Sequence, residues 1–187
     1  MSPVLLGLID SQKSGHLTLP ASFDYIASTT VGAGGIGTIT FNSIPQTYKH
    51  LQIRGYHKLT GVSYEGYTRV RFNNDTATNY SQKQWYANTN NALTTNTYTS
   101  ETSTTGAWIG DSMWSSGVTD ILDYTNTNKK RNTRTWSGGY LTTSTGYAVF
   151  PVGQWNSTSA ISRIDIIAPN SGNFAQYTVI ALYGLKG

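Results

Sequence analysis

The sequence contains no cysteine. That removes disulfide staples, thiolate nucleophiles and cysteine-based zinc sites together. Charge is scarce as well: Asp, Glu, Lys and Arg make up 12% of the chain, with only nine carboxylates among them. A hydrolase that cleaves glycosidic bonds needs two carboxylates about 5–10 Å apart. Asp120 and Asp123 are three positions apart, which puts them on opposite faces of a strand. Asp111 could meet one of them only through the fold. His16, His50 and His57 lack the spacing of metal ligands, and no serine sits in a Gly-x-Ser-x-Gly elbow. The expectation is a protein that is not an enzyme and carries no cofactor and no metal.

Long apolar runs are missing too. Nothing approaches the roughly 18 residues needed to span a membrane. Val4-Leu5-Leu6-Gly7-Leu8-Ile9 is apolar but short, and it lacks the flanks of a secretory signal. The formal charge is +4, yet the basic residues are scattered. Their one cluster, Lys129-Lys130-Arg131 with Arg134 nearby, reads as a solvated turn. A nucleic-acid surface would want a longer basic stripe interleaved with aromatics. Neither membrane insertion nor specific nucleic-acid binding is expected.

Tyr, Gly, Thr and Asn are plentiful, and 187 residues fit one sandwich-sized domain with an appendage. Residues 1–22 read as an anchoring arm: Val4, Leu5, Leu6, Leu8 and Ile9 form an apolar patch suited to docking on a neighbour. From Phe23 onward, period-two alternation marks strands separated by turns. Strands are read over Phe23–Ala27, Ile36–Phe41, Lys49–Lys58, Tyr67–Phe72, Tyr80–Tyr86, Val118–Tyr124, Thr133–Tyr140, Tyr147–Val152 and Ala160–Ile167. Asn73-Asn74-Asp75 is a turn. The Thr- and Asn-rich residues 87–106 read as a long loop or an irregular edge hairpin. Gly172–Gly187 reads as one strand, central and buried on both sides, because Tyr177, Val179, Ala181 and Tyr183 alternate with Thr178, Ile180, Leu182 and Gly184.

No convincing helix interrupts this series, so residues 23–187 are expected to form an all-β antiparallel sandwich with two sheets of about four strands each. The expected core is Ile39, Phe41, Leu51, Ile53, Val70, Phe72, Ile121, Leu122, Ile164, Ile166, Val179 and Leu182. Five tryptophans are many for this length. Exposed aromatic faces beside Asn and Asp are one way to hold a sugar. Trp85, Tyr86, Trp108 and Trp114 are therefore the candidate glycan-binding residues. Core or subunit packing is the alternative for each tryptophan.

Several blocks occur in series: Ile44-Pro45-Gln46-Thr47-Tyr48-Lys49-His50-Leu51-Gln52-Ile53-Arg54, Arg71-Phe72-Asn73-Asn74-Asp75, Asn79-Tyr80-Ser81, Asp120 to Lys129, Gly172 to Tyr177, and Ala181-Leu182-Tyr183-Gly184. From about Tyr25 to the end, this combination resembles a family of small structural proteins of tailed bacteriophages, frequent among phages of cyanobacteria and other aquatic bacteria. The resemblance implies a virion role as a fibre, tail or head-decoration component, and carries over no catalytic residue. The resulting expectation is a jelly-roll-like homotrimer on the virion surface, held through its arm to the major capsid protein or to tail and baseplate proteins. Capsid decoration is favoured over a short tail fibre, since the chain lacks coiled-coil heptads and a collagen-like shaft. A lectin-like module that binds a host-surface glycan is the other reading.

Overall fold

A computed structural model describes residues 23–61, 65–88, 93–142 and 145–186. The proposed arm, with Val4, Leu5, Leu6, Leu8 and Ile9, lies outside the described residues.

The chain forms fourteen described strands: β1 (Phe23–Thr30), β2 (Thr38–Phe41), β3 (His50–His57), β4 (Leu59–Thr60), β5 (Gly66–Phe72), β6 (Tyr80–Asn88), β7 (Leu93–Glu101), β8 (Thr104–Ile109), β9 (Ser115–Leu122), β10 (Arg131–Tyr140), β11 (Gly146–Trp155), β12 (Ile164–Ile167), β13 (Asn173–Phe174) and β14 (Val179–Leu185). They build an antiparallel sandwich. One sheet has eight strands in the order β1-β14-β3-β9-β10-β11-β6-β7, and the other has four in the order β2-β12-β5-β8. The short pair β4–β13 closes one end. The sheets are thus eight and four strands wide, not four and four.

The pairing is nested. β5 pairs with β8, β3 with β9, β2 with β12, and β1 with β14. These eight strands follow the order of a jelly roll, in which one long hairpin is rolled so that successive pairs fall in alternate sheets. Two hairpins are inserted into it. β6–β7 lies between β5 and β8 in sequence, and β10–β11 lies between β9 and β12. Both widen the large sheet beyond β9.

Ten of the twelve expected core residues are buried, among them Leu51, Phe72, Ile121, Ile164 and Leu182. Leu122 and Val179 are the exceptions. Leu122 follows the inward Ile121 and so points outward, and Val179 is 38% exposed. The C-terminal stretch is also not one strand. A turn with Tyr177 at φ 70° separates β13 from β14. β14 is next to the sheet edge: Ile180 and Leu182 point into the core, Val179 on the other face is 38% exposed, and Tyr177 in the preceding turn is exposed.

Beneath the inserted hairpins the interior is polar. Gln84 Nε2 donates to Thr105 Oγ1 at 2.7 Å, Thr105 Oγ1 donates to Gln82 Oε1 at 2.7 Å, and the Thr119 and Thr135 hydroxyls pair at 2.8 Å. These pairings are what make the burial tolerable, although Gln82 Nε2 has no partner among the described residues. Glycine lets β8 come this close: a Cβ on Gly153 would lie 1.7 Å from Thr104 Oγ1. The loop-or-hairpin segment is resolved as a hairpin, since residues 93–101 form β7 on the sheet edge.

Candidate binding face

The inner side of the eight-stranded sheet is committed to the core. Among the described residues, its outer side has no second layer. Register carries one row of outward residues across the strands: Thr95, Trp85, Phe150, Trp136, Val118, Arg54 and Ala181. Trp85 stacks on Phe150 at 6.1 Å between ring centroids, and Phe150 packs on Trp136 at 4.5 Å. These three rings form a ridge over β6, β11 and β10.

Beside the ridge the row drops. Trp136 is followed by Val118, then by small residues at Ser116, Gly138 and Ala181, which leaves an open groove of about 610 Å³. Trp136 forms one wall and is 66% exposed. Tyr56, 53% exposed, contributes to the other side and is backed by Trp114, whose ring stacks on it at 4.9 Å and 10°. Tyr183 and Arg54 complete that side. The Arg54 guanidinium lies 4.8 Å from the Phe23 ring centroid and 4.7 Å from that of Tyr183. Its Nε donates to Gln52 Oε1 at 2.7 Å. Gln52 donates in turn to Asp120, which also accepts from Arg134 Nε at 2.8 Å. Across the ridge a second depression of about 490 Å³ is lined by Lys83, Arg134 and Tyr98.

The four sugar-site candidates therefore separate. Trp85 stands on the ridge, and Trp114 supports the groove wall through Tyr56. Tyr86 sits on the opposite face of β6 from Trp85, half-buried. Trp108 is 2% exposed and stacks on Tyr147 at 5.0 Å, so it is a packing residue with no face free for a sugar. Trp136 and Arg54 were not singled out by sequence, because only strand register shows that they share a face with Trp85.

The charged groups weighed for catalysis hold the fold. Asp120 is tied up between Gln52 and Arg134. Asp123 pairs with Lys49 at 3.1 Å and Lys129 at 3.3 Å, and its carboxyl is held below the usual carboxylate range by the hydrogen bond from Lys49, with help from Lys129. His50 Nδ1 accepts the Asp123 backbone N–H at 2.9 Å. Asp111 contacts Ser112. Among the described residues no group of three or more His, Asp or Glu side chains could hold a metal ion.

The basic turn also divides. Lys129 and Lys130 are exposed as expected, but Arg131 is wholly buried. Its Nε donates to the Tyr124 carbonyl, its Nη1 to that of Lys129, and its Nη2 to those of Thr158 and Ser159.

The blocks that carry the phage resemblance meet at such joints. Gln46 donates to the Ile44 and Ile161 carbonyls, and the Tyr124 hydroxyl donates to Pro45 O. Asn73 and Asn74, at φ 50° and 57°, make a tight turn at the end of β5, closed by Asp75 N–H to Phe72 O at 2.9 Å, from which the chain leaves the four-stranded sheet for β6 in the other. Asn73 Oδ1 then accepts the backbone N–H of Ser162 and Arg163. Asp75 accepts from Trp155 Nε1 at 2.7 Å. Comparison with protein-family models gives no match, and comparison with the curated proteins and with the solved structures gives none either.

Proposed function

We propose that this chain is a non-enzymatic structural protein of a tailed-bacteriophage virion, working through its surfaces as a trimeric capsid decoration or head-fibre protein. The observation that carries this reading is where the resemblance blocks fall. Several of them, at Gln46, at Asn73 to Asp75 and at Tyr124, supply turns and joints of a jelly roll, the positions on which a shared scaffold depends. Residues 1–22, through Val4, Leu5, Leu6, Leu8 and Ile9, would dock on the major capsid protein.

A second reading is a short tail fibre or baseplate component that binds a host-surface glycan. The outward ridge of Trp85, Phe150 and Trp136 favours it, because exposed aromatic patches of this kind mark contact surfaces.

Immunogold labelling of intact virions with antibody against this protein tests both. Gold over the head is the expected result. Gold confined to the tail end would transfer the role to the fibre. Absence of the protein from virions by mass spectrometry would end the virion reading altogether. Sedimentation equilibrium should give three times the chain mass of 20.4 kDa, and a monomer at every concentration would remove the trimer.

A further inference from the structure

We propose that the groove between Trp136 and Arg54 binds a carboxylate-bearing polysaccharide, with a sugar ring on the Trp136 indole and its carboxylate on the Arg54 guanidinium. The inference concerns the isolated chain and stands whether the protein sits on a head, on a tail or on neither.

Three observations lead there. The first is shape and surface. The groove is open, floored by small residues and walled by Trp136, Tyr56 and Tyr183. Such a surface suits a flat ring with one apolar face and a polar rim, and a chain that can run out at both ends.

The second is the state of Arg54. Among the described residues it is the one charged residue lining the groove. Its guanidinium is held between the Phe23 and Tyr183 rings, and its Nε is fixed by Gln52. Among the described residues no carboxylate pairs with it, and no acceptor bonds its two terminal nitrogens. A planar fork, oriented in advance and left with free donors, matches a carboxylate better than any neutral group. A neutral ligand lying over it would take an unpaired charge out of water, which is costly.

The third is the balance of charge on the whole face. The strand residues that project outward include Arg54, Lys83 and Arg134 against the single carboxylate of Asp120. Asp120 is already held by Arg134 and Gln52. Two copies meeting through this same face would set cation against cation. An acidic polymer meets Arg54 in the groove and, beyond the ridge, Lys83 over Trp85 at 5.7 Å. A nucleic acid also stacks and carries charge, but it needs a cation near each phosphate, and the groove offers one.

The test uses the full chain with oligogalacturonate, oligoalginate and sialyllactose as probes and malto-oligosaccharide as the neutral control. Calorimetry and tryptophan emission are the readouts. The expected result is saturable binding of at least one acidic probe, at least about tenfold tighter than the neutral oligomer. Trp136→Ala should weaken it by about tenfold or more. Arg54→Gln should abolish the preference for acid over neutral, and Arg54→Lys should restore part of it. Both side chains are exposed, so unchanged melting temperatures will certify that the variants fold. No saturation by any of the three acidic probes up to about 10 mM would overturn the proposal. So would binding unaffected by Trp136→Ala, tighter binding of oligothymidylate, or self-association that Trp136→Ala abolishes. None of these outcomes alters where gold falls on a virion.

Discussion

Arg131 shows how a residue can be misjudged from its neighbours in sequence. Beside two lysines it looks solvated, yet its guanidinium serves backbone carbonyls at Tyr124, Lys129, Thr158 and Ser159. Nothing local signals this, because two of those carbonyls lie 27 and 28 positions away. Removing the side chain leaves buried acceptors without donors, a costly class of substitution. Arg131→Met should lower stability by roughly 3 kcal/mol, read as a shift of the urea midpoint. A loss below about 1 kcal/mol would mean that water replaces the guanidinium. His57 makes a second case. It is buried, with Nε2 at 3.0 Å from the Trp108 carbonyl, and burial lowers its pKa from 6.5 to about 4. The unfolded chain therefore takes up a proton that the folded chain refuses. Stability should be full above pH 6.5, fall as pH drops toward 4, and level off below, a total of about 3 kcal/mol. Burial opposes the ionisation of Asp75, but hydrogen bonds from Asn79, Trp155 and the Ala77 N–H outweigh it, so that carboxylate adds acid sensitivity only below its ordinary range. Thermal melts of the wild type and of His57→Gln between pH 7.5 and 4.5 check this. The wild-type melting temperature should slope and that of the variant should be flatter.

At the scale of elements, the strands most legible in sequence are those with one wet face. β3 alternates Leu51, Ile53 and His57 inward with Gln52, Arg54 and Tyr56 outward, and its pattern is plain. β8 is buried at all six positions, so it has no period to read. β7 has the opposite difficulty: Thr, Asn and Ser on both faces give no contrast, although threonine itself favours strands. That difference has a dynamic side. Among the described residues β7 pairs only with β6, whereas β3 and β9 are paired on both edges and cover the core. Backbone amides of β7 should exchange with solvent fastest among the strands, and those of β3 and β9 slowest. Hydrogen exchange resolved by residue will decide it. Protection of β7 equal to that of β3 would mean that another surface covers the edge.

For the whole molecule, alternation and turns announced a sandwich, but not which strands touch. Phe23 lies opposite Leu185, and no local pattern encodes a contact across almost the entire chain. The candidate face was half legible for the same reason. Trp85 could be picked out by type, while Trp136 and Arg54 required the register that sets them in its row. The nested pairing also has a mechanical consequence. The strand that begins the described fold and the strand that ends it leave from one corner, since the start of β1 meets the end of β14. Tension between those two ends opens that ladder as a zipper, one hydrogen bond after another, because the bonds lie across the strands. Tension between Phe23 and Val179, at opposite ends of the same ladder, loads all of its bonds together in shear. A chain without cysteine accepts a pair of thiol handles at any two chosen sites, so a single-molecule pull can compare the grips. A doubly substituted Phe23→Cys, Val179→Cys chain should yield at higher force than one held by its ends. A load-bearing tether that enters through residues 1–22 would then spare the fold only if the opposing grip lies away from the C-terminus.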